Sequence, residues 1–413
     1  MSGQEKTASL AGREQDREAE SLMQTAKRME HIPFSGIRKI FEEVGRRERL
    51  GQKIIHLEIG RPDFDTPAHI KERAMRALAD GQVHYTSNYG LLELRQAVSQ
   101  KLSQDNGLSY KPEDEIIITL GANEAVFLAM TALLNPGDEV LIPDPCWPHY
   151  HFCARMIGAV PVPVPLRFEN DFNPDPADFK ARISDRTKMM VVNTPNNPTG
   201  AVFSRQALES LSALAQERNL FVLSDEIYEK MVYDQARHHS MAALPGMWKR
   251  TLTINGFSKI FAMTGWRLGY VAGPENLIQA LVRVHQYVTI CAVNFAQWGG
   301  VEALTGPQDS VENMVREFDR RRIMVCDRLG QMPGIELARP CGAFYLFPRI
   351  KGLNKTPEEL CWYLLEEAKI AVVPGTSLGE CGEGHIRISY ANSYEALEEA
   401  MDRMAAALKR LKG

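Results

Sequence analysis

From Glu115 onward, short apolar runs rich in β-branched residues alternate with longer stretches of helical period. The pairs are Ile116 to Leu120 then Asn123 to Leu134, Glu139 to Ile142 then Trp147 to Ile157, and Met189 to Asn193 then Ser204 to Arg218, followed by Leu220 to Ser224. Strands apolar throughout, separated by helices, predict a parallel sheet covered on both faces. Past about residue 305 the pattern changes. One long helical run, Val311 to Met332, precedes strands near 342–350 and 385–390, and an amphipathic helix spans Tyr394 to Leu411. The predicted fold is α/β: a large domain with a mostly parallel sheet between helices, plus a smaller α+β domain. The expected boundaries are an N-terminal arm over 1–30, small-domain segments over 31–64 and 313–413, and the large domain over 65–312.

Composition narrows the class. The chain has 413 residues, too many for one simple core, with 44% hydrophobic content, 24% charge and a formal net charge of −4; nothing is basic enough to make nucleic acid the main partner. No apolar run approaches the roughly 20 residues of a membrane span, and the N-terminus lacks the apolar centre of a signal peptide. Cytoplasm is the expected compartment. Seven cysteines show neither a paired framework nor metal-ligand spacing, so reduced thiols and no metal are expected; Cys146 reads as a small packing residue. The mixed charges of residues 13–20 predict a mobile arm or a solvated helix.

The chemistry begins at Gly256-Phe257-Ser258-Lys259, with Arg267 eight positions on. A lysine amine is a nucleophile only when neutral, and apolar surroundings plus a fixed positive charge favour that form. These are the needs of a Schiff-base lysine, and Arg267 is suited to supply the charge while binding an anion. Upstream, Asn193-Thr194-Pro195-Asn196-Asn197-Pro198-Thr199-Gly200 and Ser224-Asp225-Glu226-Ile227-Tyr228 each end an apolar run. With Ile59-Gly60-Arg61-Pro62-Asp63, Tyr85-Thr86-Ser87-Asn88-Tyr89-Gly90, Gly121-Ala122-Asn123, Pro145-Cys146-Trp147 and His385-Ile386-Arg387, these motifs resemble, in order, the class I/II aminotransferases. Those are enzymes of the pyridoxal 5'-phosphate (PLP) family with the aspartate-aminotransferase fold, fold type I.

The resemblance implies a role for each matching residue. Lys259 would hold PLP and move the proton from the substrate α-carbon, Asp225 would pair with the pyridine nitrogen, and Tyr228 and Asn197 would bond the cofactor's phenolic oxygen. Gly121, Ala122, Asn123, Ser258 and Arg267 would hold the phosphate, with Tyr85 reaching it from a neighbouring subunit in a homodimer. Trp147 would stack on the ring; Arg387 would clamp the substrate α-carboxylate, with the Gly60 backbone beside it and Trp147 and Asn197 lining the substrate space. Trp266 reads as core. The implied activity is a ping-pong exchange of an amino group between an L-amino acid and a 2-oxo acid, with a carbon–sulfur β-lyase of the same fold as the alternative. A transcription regulator of this fold needs a DNA-binding domain ahead of residue 30, for which thirty residues are too few. Two positions depart from the family pattern: Gly256 stands where a phosphate-binding serine is frequent, and Asn123 where some aspartate aminotransferases carry a lysine for the distal carboxylate. Arg61 is the remaining candidate for that charge, expected to point to solvent or to pair with an acid.

Overall fold

The computed structural model describes residues 25–34 and 36–412. Most of the expected arm therefore lies outside the described residues, and Lys27–His31 form a single 3-10 turn with nothing buried. From residue 36 onward the strands are, in chain order, β1 (Ile55–His56), β2 (Ile116–Thr119), β3 (Glu139–Asp144), β4 (Val160–Pro165), β5 (Thr187–Asn193), β6 (Phe221–Asp225), β7 (Thr251–Gly256), β8 (Gly269–Ala272), β9 (Ile335–Glu336), β10 (Tyr345–Leu346), β11 (Arg349–Ile350), β12 (Ile370–Ala371), β13 (Val373–Pro374) and β14 (Ile386–Ser389).

Seven of them form one sheet in the order β2-β8-β7-β6-β5-β3-β4. It is parallel except for β8, which runs antiparallel to both β2 and β7. Helices cover both faces because the central strands are apolar on both: Met189, Met190, Val191 and Val192 are all buried, in two different core clusters. The edge strand β4 reads Val-Pro-Val-Pro-Val-Pro, tolerable there because an edge leaves one row of N–H groups without a ladder partner.

A second set of short strands, β10-β14-β13, β11-β9 and β1-β12, comes from the later part of the chain except for β1, which pairs in from residues 55–56. The continuous strand expected over 342–350 is instead β10 and β11, interrupted at Pro348, which has no N–H to give a ladder. One core cluster joins Ile40, Val44 and Leu57 to Phe318, Leu365 and Met401. The long helix is Asp309–Leu329 and the last is Tyr394–Lys412. Among the described residues no helix is long and apolar enough to cross a membrane.

Candidate active site

Strands β5 and β6 end side by side, with Asn193 registered against Asp225. Binding at the carboxyl ends of parallel strands is the rule for open α/β sheets, and a cavity of about 530 Å³ opens there. It brings together Gly60, Ala122, Asn123, Trp147, Asn197, Asp225, Tyr228, Ser258, Lys259, Arg267 and Arg387. Gly121 stands just behind, and Tyr85 is outside: its side chain is 81% exposed and does not line the cavity within one chain.

Lys259 donates from Nζ to the Gly60 carbonyl at 2.6 Å. Burial first, then the charge of Arg387, brings its ammonium down to about 8, with Asp225 opposing and Arg267 adding the smallest push. The sequence reading gave that role to Arg267; Arg387, which the fold carries in from β14, outweighs it.

Asp225 is buried, and burial raises its carboxyl above the usual range. Its Oδ2 accepts from Tyr150 Oη at 2.6 Å and its Oδ1 from the Ile227 N–H at 3.2 Å. Neither donor carries a charge, so the carboxylate is set to receive a cation from the cavity.

At the other end, Gly121 (φ +83°) leads into the helix Ala122–Leu133, whose first N–H groups lack intrahelical partners and attract anions. A Cβ on Gly121 would lie 2.7 Å from Arg267 Nη2, so only glycine lets the guanidinium come this close. Arg267 is oriented by donating to the carbonyls of Thr264 at 3.0 Å and Leu120 at 3.2 Å. Gly256 is packed against β8, where a Cβ would meet Gly269 Cα and the Leu268 carbonyl at 3.0 Å, which accounts for the missing serine. Trp147 precedes the helix His149–Met156 instead of starting it, since Pro148 follows and disfavours helical backbone there; its half-buried ring is left to line the cavity.

Arg387 is 1% exposed. Its Nη1 donates to Asn197 Oδ1 at 3.2 Å and its Nη2 to the Glu58 carbonyl at 2.6 Å, while Nε has no partner. The guanidinium lies over the Tyr345 ring, 4.9 Å from its centroid. Tyr345 and Tyr228 share a hydrogen bond of 2.8 Å, and a Cβ on Gly60 would come within 2.5 Å of Tyr345 Oη. Arg61 is exposed at the cavity mouth, as expected of it, beside Ile37, Arg38, Phe41 and Ile59. Cys146 is fully buried, a packing residue, and Trp266 packs at a core edge.

The sequence reading missed Tyr150, Tyr345 and Glu58. Tyr150 is the only one with a local signal: it falls three positions after Trp147, in the first turn of a helix at a strand end.

The profile of the family described as "Aminotransferase class I and II" matches residues 52–404. The chain belongs to this family. Among curated class I and II aminotransferases, the aspartate aminotransferase of Pyrococcus abyssi is 45% identical over 393 residues, covering 94% of this chain and 100% of the relative. The aromatic-amino-acid aminotransferase 2 of Thermococcus litoralis is also 45% identical, over 392 residues, with coverages of 94% and 100%. Among solved structures, the Thermus thermophilus aspartate aminotransferase with maleate aligns at a TM-score of 0.89 and 40% identity, covering 94% of this chain and 100% of that chain. The fold is that of the aspartate aminotransferases, fold type I, and the chain is an enzyme that moves an amino group between an amino acid and a 2-oxo acid.

Proposed function

We propose that this aminotransferase works on pyridoxal 5'-phosphate, in a ping-pong cycle, as a cytoplasmic homodimer. The observation carrying the reading is one cavity that holds an amine lowered to about 8 beside a desolvated carboxylate and a buried arginine. The residues fit the cofactor at both ends: a helix start with Arg267 suits its phosphate, and Asp225, served only by neutral donors, suits a protonated ring nitrogen. When bound, the pyridine ring supplies an electron sink for the pair left at the substrate α-carbon.

The chain's own residues do the rest. Lys259, as a neutral amine, would hold the cofactor and would serve as the base that takes the substrate α-proton. Asp225, whose carboxylate Tyr150 holds in place, would pair with the ring nitrogen and favour its protonated form. Tyr228 and Asn197 would hydrogen-bond the ring oxygen, Trp147 would stack on the ring, and Ala122, Asn123 and Ser258 would join Gly121 and Arg267 in holding the phosphate. Arg387 takes the substrate α-carboxylate in a two-pronged pair, next to the Gly60 backbone, which fixes the α-proton as the group to leave. The exposed Tyr85 completes the phosphate site of the partner subunit.

For the substrate side chain, Ile37, Phe41, Ile59 and Trp147 offer apolar walls, while Asn123 places no charge where a distal carboxylate would sit. Neutral and aromatic donors are therefore accepted at least as well as aspartate, with Arg61 reading any second carboxylate. Borohydride reduction of the enzyme with its cofactor, followed by peptide mapping, tests the central assignment. The label should fall on Lys259 and vanish in Lys259→Ala; a label on any other lysine of the parent refutes it.

A further inference from the structure

We infer that His56 and Glu58 are positioning residues for Arg387, acting together to set how strongly it attracts the substrate carboxylate. The inference rests on the reading of Arg387 as the carboxylate clamp. His56, on β1, and Glu58, two residues on, face the same side of the extended chain. Glu58 is 1% exposed. Its backbone oxygen takes the 2.6 Å bond from Arg387 Nη2, its Oε1 accepts from His56 Nδ1 at 2.8 Å, and its Oε2 has no partner. Arg387 Nε is also unpartnered, and both acceptors of its guanidinium are neutral oxygens. Two buried orphans of opposite charge in one neighbourhood call for an explanation.

Burial acts most strongly on Arg387, then the Tyr345 and Tyr228 hydroxyls and, last, Glu58, the one carboxylate among them; Lys259 lies within the field of Arg387. A carboxylate in this position, left to itself, would offset part of the guanidinium's charge and repel an incoming carboxylate. His56 prevents that. Its ring bridges Glu58 and Glu48, with Nε2 at 2.9 Å from Glu48 Oε1. The bond to Glu58 is the largest cause raising the imidazole to about 9, against burial and with Glu48 adding to it. The backbone of His56 is fixed by pairing with Ala371 and by Asn392, whose Nδ2 donates to the His56 carbonyl at 3.1 Å. At neutral pH His56 is a cation that balances Glu58 and leaves Arg387 its full charge. The ring is only half-buried, so solvent protons reach it.

The sign follows. Above pH 9 His56 becomes neutral, Glu58 turns wholly toward Arg387, and carboxylates bind more weakly. The test is the affinity of the enzyme carrying its cofactor for 3-phenylpropionate, which has no amine of its own to titrate, from pH 6.5 to 10. The parent should lose about tenfold across a limb centred near pH 9, the order of effect of one charge acting without direct contact in a protein-like dielectric. His56→Gln should bind at pH 7.5 as weakly as the parent does at pH 10 and lack the limb. Glu58→Gln should move the limb down toward the ordinary histidine value, and the surface exchange Glu48→Gln should move it the same way by less, without touching the core. Coincident profiles for the parent and His56→Gln overturn the inference. So does a limb unmoved in both glutamate variants, and Glu48→Gln decides alone if the buried variants do not fold. Arg387→Gln separates the two levels: unchanged affinity there removes the clamp and this inference with it, whereas lost affinity with unmoved limbs removes this inference only.

Discussion

Gly60→Ala is the sharpest probe of how the site is packed. The new Cβ would lie 2.5 Å from Tyr345 Oη, while the next atoms, Cζ at 3.5 Å and Cε1 at 3.6 Å, are already at ordinary contact. The clash is with one hydroxyl alone. Tyr345 cannot retreat freely, since it is 1% exposed, with its ring centroid 4.7 Å from Phe344 and 5.8 Å from Tyr228. Overpacking of this kind costs about 1–3 kcal/mol, and pulling Oη away from its 2.8 Å bond with Tyr228 adds about 1 kcal/mol. The substitution should therefore destabilise by about 2–4 kcal/mol. Tyr345→Phe alone should cost about 1 kcal/mol, but in its presence Gly60→Ala becomes nearly neutral, because the atom it strikes has gone. The coupling in a double-mutant cycle is thus about 2–4 kcal/mol, favouring the double variant. Urea midpoints converted with a common slope measure it. Additive costs would show that Tyr345 Oη does not set the space at Gly60.

Two further outcomes follow from the charges in the cavity. In enzyme freed of cofactor, the rate at which added pyridoxal phosphate attaches should rise about tenfold per pH unit below about 8 and level off above it, because only the neutral Lys259 amine reacts and its pKa sits there. Removing a positive neighbour raises that pKa, so Arg387→Gln should move the break upward; an unmoved break in absorbance-monitored kinetics would contradict the charge assignment. Arg61→Ala should lower kcat/KM about 10- to 100-fold for glutamate and aspartate, the worth of a charge-assisted bond, and leave alanine unchanged. An equal change for all three, with a strong preference for aspartate in the parent, would show that the specificity group lies elsewhere.

What the sequence made legible follows physical range. Asp225, Asn197 and Lys259 stand where strand-ending patterns put them, because strand, turn and helix are written in neighbouring residues. Tyr345 and Glu58 were not legible, since each acts through contacts with residues far along the chain: Tyr345 with Tyr228 and Gly60, Glu58 with Arg387. The electrostatic setting of Lys259 was half legible for the same reason. Its apolar burial is local, while its strongest charged neighbour arrives on β14. Two-residue strands such as β1 and β12 are too short for any periodicity to announce them, and Pro348 divides what reads as one strand into two. The antiparallel β8 shares the apolar pattern of its parallel neighbours, so its direction is set by the tight return after Trp266 rather than by composition.

The pairing of β1 with β12 joins Ile55 to Ile370. During synthesis on the ribosome, every strand of the large sheet, β2 to β8, has emerged before the partner of β1 is made. Leu57, whose N–H donates to the Ala371 carbonyl at 2.9 Å in the finished enzyme, must wait through that interval without that partner. Arg387 and the backbone oxygen of Glu58 that accepts from it come together only after nearly the whole message has been read. A chain halted after the sheet is complete thus has the lysine and the aspartate but not the proposed clamp arginine, so translation itself orders the assembly, and on that proposal competence for substrate is among the last properties the protein acquires.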